Sequence, residues 1–153
     1  MLINDGELTE PHLYVSLDFK QHRSEYYARL QATRDHGDWM GWLRFFLQAV
    51  STTTRLAVEA AQVALALHEN HRREVRSLSN AGSVLRVLAF LSHRPMVTSR
   101  MLVEQIQISA PTANNALSAL ERRGIVEEIT GKKRGRVYAY RSYIGALAGV
   151  AGQ

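Results

Sequence analysis

There is no cysteine in the 153 residues, so neither a disulfide nor a thiolate metal site can form. That fits a reducing compartment. No apolar run reaches membrane-spanning length. The first residues, Met1-Leu2-Ile3-Asn4-Asp5, lack the basic region and apolar core of a signal peptide. A cytoplasmic location with no membrane partner is therefore expected. Neither a G-x-x-x-x-G-K phosphate loop nor a G-x-G-x-x-G run occurs. His12, His22, His36 and His93 are scattered, with no nucleophile motif beside any of them. His68-Glu69-Asn70-His71 spaces two histidines at i and i+3, not at the i and i+4 of a zinc-binding H-E-x-x-H helix. With no third ligand indicated, that segment reads as a solvated polar helix end. Tyr14, Tyr26, Tyr27, Trp39 and Trp42 read as core and interface aromatics. Composition and motifs thus supply no catalytic residue, no metal ligand and no cofactor site.

What the chain does have lies between Thr98 and Tyr140. Thr98 opens a short amphipathic run to Gln105, Ile106 to Ser109 make a turn, and a second helix runs from Ala110 to Arg123. Ser109 is a good N-cap, because its hydroxyl can accept a first-turn N–H. Pro111 sits where a missing N–H costs little. Gly124 is placed to end the helix in a left-handed conformation. Ala113, Leu117 and Leu120 share one face, with Ala116 at its edge. The opposite face carries Pro111, Asn115, Ser118 and Arg122, with Thr112, Asn114 and Glu121 on the flanks. Two strand-like runs follow, Ile125 to Thr130 and Arg136 to Tyr140, around Gly131-Lys132-Lys133-Arg134-Gly135. Helix, turn, helix and basic hairpin in this order are the signature of a winged helix-turn-helix, a module that docks a helix in the DNA major groove. The candidate DNA-contacting residues are Ser109, Thr112, Asn114, Asn115, Ser118 and Arg122 on the helix, and Lys132, Lys133, Arg134 and Arg136 on the hairpin. Asn pairs with adenine edges, Arg with guanine or phosphate, and the hairpin cations with phosphate.

Charge follows the same division. Residues 1–80 carry nine Lys or Arg against ten Asp or Glu, a net of −1; residues 81–153 carry ten against four, a net of +6. The half with the helix pair is therefore the half suited to an acidic polymer. Nearly half of all residues are apolar, so a packed core is expected. Met1 to Pro11 reads as an irregular lead-in punctuated by Gly6 and Pro11. Ser16 or Asp18 is expected to cap a helix through Phe19, Tyr26, Tyr27 and Leu30 to Thr33, and Asp38 to cap a longer one. In the longer helix Trp42, Leu43, Phe46, Leu47 and Val50 recur at helical spacing, and the apolar pattern resumes to about Ser77. Ser51-Thr52-Thr53-Thr54 is a candidate bend or break. Ser79-Asn80-Ala81-Gly82 is the best boundary, followed by a helix marked by Val84, Leu85, Leu88 and Leu91 and stopped before Pro95. The expected architecture is mainly α. A helical segment over 1–79 leads into a winged helix-turn-helix over 80–153 with a small β-hairpin. Leu56, Ala60, Val63 and Leu67 form a face that is either core or a homodimer contact, since a two-fold DNA site calls for two copies.

One resemblance spans nearly the whole chain. Pro11-His12-Leu13-Tyr14-Val15-Ser16, then Arg23 to Leu30 (RSEYYARL), then Gly37 to Leu47 (GDWMGWLRFFL) resembles the C-terminal part of Fic-family proteins. The resemblance continues through the long helix to Thr112-Ala113 and to Leu120 through Gly124. It implies a family that transfers AMP from ATP to a hydroxyl of a target protein through an H-P-F-x-x-G-N-G-R loop. ATP and magnesium are implied only for a full-length enzyme of that kind. This chain holds no such loop: His93-Arg94-Pro95 has the wrong order and no G-N-G-R after it. By the family layout the loop falls upstream of Met1, so no AMP transfer by this chain alone is expected. Two further readings stand beside a DNA-binding regulatory module. One is a protein-interaction module, in which Ala113, Ala116 and Ala119 permit close approach by a target protein or an upstream Fic catalytic domain. The other is the C-terminal fragment of an adenylyltransferase.

Overall fold

A computed structural model describes residues 15–148. The irregular lead-in, His12, and the motif residues Pro11, Leu13 and Tyr14 lie outside the described residues. Seven helices and three strands follow one another: α1 (Val15–Gln21), α2 (Arg23–His36), α3 (Trp39–Val75), α4 (Ala81–His93), β1 (Met96–Thr98), α5 (Ser99–Ile106), α6 (Ala110–Glu121), β2 (Glu127–Glu128), β3 (Val137–Ala139) and α7 (Arg141–Ala148). The mainly helical class with a small sheet is the one expected. Two compact units divide the chain. One takes the described residues through Ala61, the other Gln62–Ala148, and the dividing point falls inside α3. The boundary read at residues 79 and 80 lies within the second unit, at the turn between α3 and α4.

In the first unit, Phe19 of α1 gathers the aromatics. Its ring stacks on Phe45 at 5.5 Å and meets Tyr26 at 5.3 Å. Tyr26 in turn meets Trp42 edge-on at 5.5 Å. The single helix expected from Ser16 or Asp18 to Thr33 is in fact two. The chain is already helical at Val15, the first described residue, so Ser16 and Asp18 lie inside α1, and His22 (φ −102°, ψ 37°) leaves the helical region and separates α1 from α2. The His22 ring nitrogen Nδ1 lies 3.1 Å from the Asp18 carbonyl and 3.5 Å from its carboxylate, holding the corner. Gly37 ends α2 with φ 68°, and the Asp38 carboxylate accepts the Gly41 N–H at 2.9 Å, the cap expected for α3.

The four hydroxyl residues do not break α3. Thr53 and Thr54 donate their hydroxyls back to the carbonyls of Ala49 and Val50, at 2.9 and 2.7 Å, so the side chains join the helix rather than compete with it. Along α3, Ala60 is buried and Leu56 and Leu67 are half-buried, whereas Val63 is exposed; the four-residue face is only partly a packing face.

In the second unit, α4 buries Val84, Val87, Leu88 and Leu91, and α6 buries Ala113, Ala116, Leu117, Ala119 and Leu120; both join Leu102 of α5 and Val75 of α3 in one core. Pro95 stops α4 as expected. The strand after it was not expected. β1 pairs antiparallel with β3, Val97 opposite Tyr138, and the sheet order is β1-β3-β2. Three residues carry too little alternation to be read as a strand from sequence. The two hairpin strands are shorter than the runs read from sequence. Ile125 and Val126 are buried where the chain leaves α6, so they belong to the core and not to the ladder.

The histidine segment at the end of α3 is not a solvated helix end. His71 Nδ1 is hydrogen-bonded to the Tyr140 hydroxyl at 2.7 Å, and Tyr140 stacks on Tyr143 at 5.0 Å. The His68 ring meets Tyr143 edge-on at 6.3 Å. Burial lowers the basicity of both histidines, with Arg72 adding to the effect at His68. Both are therefore neutral in the folded chain at neutral pH. Unfolding returns them to an ordinary value of 6.5, where they take up protons. Stability from this packing is full above that value and declines as the pH falls through it toward the lowered folded values. The urea midpoint should thus be lower at about pH 5.5 than at about pH 7.5. Replacing His68 and His71 together with Gln should flatten that decline, and an unchanged decline would rule these two residues out as its source.

Candidate nucleic-acid interface

The helix pair is built by two side-chain caps and one left-handed corner. Thr98 accepts the Met101 N–H at 3.2 Å and starts α5. Gln107 (φ 52°) turns the chain out of α5, and Ile108 is buried beneath the turn. A non-glycine residue in this region is uncommon, so the turn is held by its surroundings. Ile108 packs below, and Arg86 of α4 donates to the Ile106 carbonyl at the open end of α5. Ser109 then accepts the Thr112 N–H at 3.2 Å, and Pro111 occupies the first turn. The far end of α6 closes as a Schellman turn: Ile125 N–H donates to Leu120 O at 3.0 Å and Gly124 N–H to Glu121 O at 2.9 Å, with Gly124 at φ 67°.

With both ends held and one face in the core, the other face is determined. Pro111, Asn114, Asn115 and Arg122 are exposed, and Thr112 and Ser118 are half-buried. Asn114 and Asn115 make no side-chain hydrogen bond within the described residues, so their amides are available to donate and accept. Ser109 and Thr112 are partly committed. Their hydroxyls bond each other at 2.7 Å, which leaves one O–H proton between them for an outside acceptor. Arg122 stands about 16 Å along the helix from Pro111, at 1.5 Å per residue. Asn114 and Asn115 therefore lie in the first half of α6 and Arg122 at its far end. Its neighbour Arg123 is held inward by the Ala119 carbonyl at 3.4 Å and by Glu74 at 3.9 Å.

The hairpin carries the second group. Lys132, Lys133, Arg134 and Arg136 are all exposed, between Gly131 (φ 63°) and Gly135 (φ 66°) or just beyond it. Arg136 also braces the tip, donating Nε–H to the Lys132 carbonyl at 3.1 Å. A hydrogen bond to Tyr138 is the largest of the influences that raise the basicity of its already charged guanidinium. Sequence reasoning missed Glu128 and Thr130, which shape the loop beneath these cations. The available signal was an acidic side chain two and three positions ahead of the turn N–H groups it can accept. Among the described residues no group of three or more His, Asp or Glu is arranged to hold a metal. None of the described helices is long and apolar enough to cross a membrane.

Replacing Ser109 with Ala should cost about 1 kcal/mol of stability by removing the cap. Replacing Asn115 with Ala should change stability by no more than about 0.5 kcal/mol. Chemical denaturation separates the two, and a costly Asn115 variant would place that side chain in the fold and not on the open face.

One comparison with known families falls on this part of the chain. Residues 80–136, less than half of the chain, match the MarR family model, so α4 to α6 with the wing form a MarR-family winged-helix domain.

Proposed function

We infer that this chain is a DNA-binding regulatory module. In this reading α6 enters the major groove of double-stranded DNA, and the wing from Lys132 to Arg136 lies against phosphates. The observation that carries it is the two-sidedness of α6. Its apolar side is buried to completion, while its other side presents Asn114, Asn115 and Arg122. The net charge of +6 over residues 81–153 and the family match support the same assignment. Control of transcription in the cytoplasm is the role that such a domain suits. The protein-interaction reading loses its main argument, because Ala113, Ala116 and Ala119 are inside the domain's own core and unavailable to a partner.

The binding unit we propose is a homodimer, since a two-fold DNA site is matched by a two-fold protein. Exposed apolar side chains on α3, among them Leu43, Leu47 and Val58, support a second copy. The resemblance of the helical segment to the C-terminal part of Fic proteins rests on its aromatic motif, and a Fic lineage for residues 1–79 belongs to this proposal only.

Fluorescence anisotropy with mixed-sequence duplex DNA at two salt concentrations tests the assignment. Affinity should fall steeply with salt, and replacing Lys132, Lys133 and Arg134 with Ala should weaken binding to every sequence. The same replacement should flatten the salt dependence by about 0.9 in log–log slope for each phosphate left without its cation. Absence of binding at low salt would overturn the assignment. Sedimentation equilibrium should give twice the chain mass of 17.2 kDa, and a monomer at micromolar concentration would remove the homodimer.

A further inference from the structure

A glycine-flanked loop of three consecutive cations has every electrostatic reason to be loose. Like charges repel, and glycine adds conformational freedom. The wing nevertheless has a fastening at each end. Glu128 uses both carboxylate oxygens. Oε1 accepts the Thr130 N–H at 2.8 Å and also the Thr130 hydroxyl, and Oε2 accepts the Gly131 N–H at 3.0 Å. Having donated its proton to Glu128, the Thr130 hydroxyl still has lone pairs, and it accepts the Val137 N–H from the returning strand at 3.4 Å. The carboxylate is therefore joined across the hairpin through one hydroxyl. At the other side of the loop Arg136 holds the Lys132 carbonyl. These bonds keep the Glu128 carboxyl below its ordinary range, the Thr130 hydroxyl contributing most. The carboxylate form is the one that favours the clamp, because it meets all three donors with charged oxygens and carries no O–H to compete with them.

Charge counting gives Glu128 the wrong sign for its place. A carboxylate at the base of a phosphate-binding loop repels the duplex, and its removal should by that measure tighten binding. Two effects oppose this. The repulsion is screened over about 8 Å at physiological salt. A loop ordered before the duplex arrives also spares the binding step the cost of ordering it.

We propose that Glu128, acting with Thr130, is a positioning residue for the wing: it holds the loop on which Lys132, Lys133 and Arg134 meet phosphates, and losing it weakens DNA binding even though a negative charge is removed. This rests on the DNA-binding reading above. Glu128 itself touches no DNA; it acts through the backbone of residues 130 and 131.

The test uses the full chain, mixed-sequence duplex DNA and anisotropy at two salt concentrations. Glu128→Gln places an amide N–H against donors that the carboxylate satisfied. It should weaken binding about threefold to tenfold and flatten the log–log salt slope by about 0.9, the share of one phosphate. Thr130→Val removes the bridging hydroxyl without altering charge and should act in the same direction, whereas Thr130→Ser should bind as the parent does. As a signature independent of DNA, the Thr130 and Gly131 amide proton shifts should follow Glu128 titration below pH 4.5 in the parent chain and lose that response in Glu128→Gln. Tighter or unchanged binding by Glu128→Gln, on a parent that binds DNA, overturns the positioning role alone. A parent that binds no duplex at low salt overturns the DNA-binding reading and this role with it.

Discussion

Burial of one face of α6 is the constraint on which the rest of the second unit depends. Ala113, Ala116, Leu117 and Leu120 have no measurable exposure, and the small side chains among them let the helix lie close against α4 and α5. Complete burial on a period of 3.6 residues leaves no rotational freedom. Once that face is in the core, Asn114, Asn115 and Arg122 must point away from it. The caps then set where the face begins and ends. Ser109 starts it, and the Schellman turn at Gly124 brings Ile125 back onto Leu120, which delivers the chain to the sheet. The exposed polar face and the hydrophobic core are thus two sides of one helix, so damage to packing also displaces the exposed face.

The wing shows how acids and bases are sorted on a short hairpin. Two acidic residues, Glu127 and Glu128, sit just below four cations. Each acid has local partners. Glu127 pairs with Arg141 of α7 at 2.5 Å, and Glu128 is occupied by the N–H groups of Thr130 and Gly131. With the acids engaged at the base, the tip presents an uninterrupted positive edge. Net charge alone would not separate this arrangement from one in which the same residues cancelled each other.

Aromatic residues hold the first unit together, through Phe19, Tyr26, Trp42 and Phe45, yet Trp39, Met40, Leu43 and Leu47 on the same helix as Trp42 remain exposed. The division follows from helical geometry. Trp42, Phe45 and Phe46 bring their rings to Phe19 of α1, whereas Trp39, Met40, Leu43 and Leu47 lie at other phases, each residue advancing about 100° round the helix. A sequence rich in apolar residues at every phase gives a long helix whose covered side can be named only once its neighbours are placed.

Local chemistry was legible in the chain itself. Ser109 and Asp38 as caps, Pro95 as a stop, Gly124 as a left-handed end and the inward stripe of α6 all depend on residues within a turn or two of each other, where side-chain chemistry and period decide the outcome. The β-hairpin was legible in position but not in length, because Ile125 and Val126 are taken into the core before the ladder begins. Three features were not legible. Strand β1 exists because Val97 finds Tyr138, forty-one positions later. His71 is withdrawn from solvent by Tyr140, sixty-nine positions later. His22 breaks a helix whose periodicity runs on without interruption. By itself the sequence determined the elements that close their own hydrogen bonds; only the tertiary structure decided which polar groups were spent on distant partners and which were left facing out, because such partners are brought together by packing and carry no mark in local periodicity.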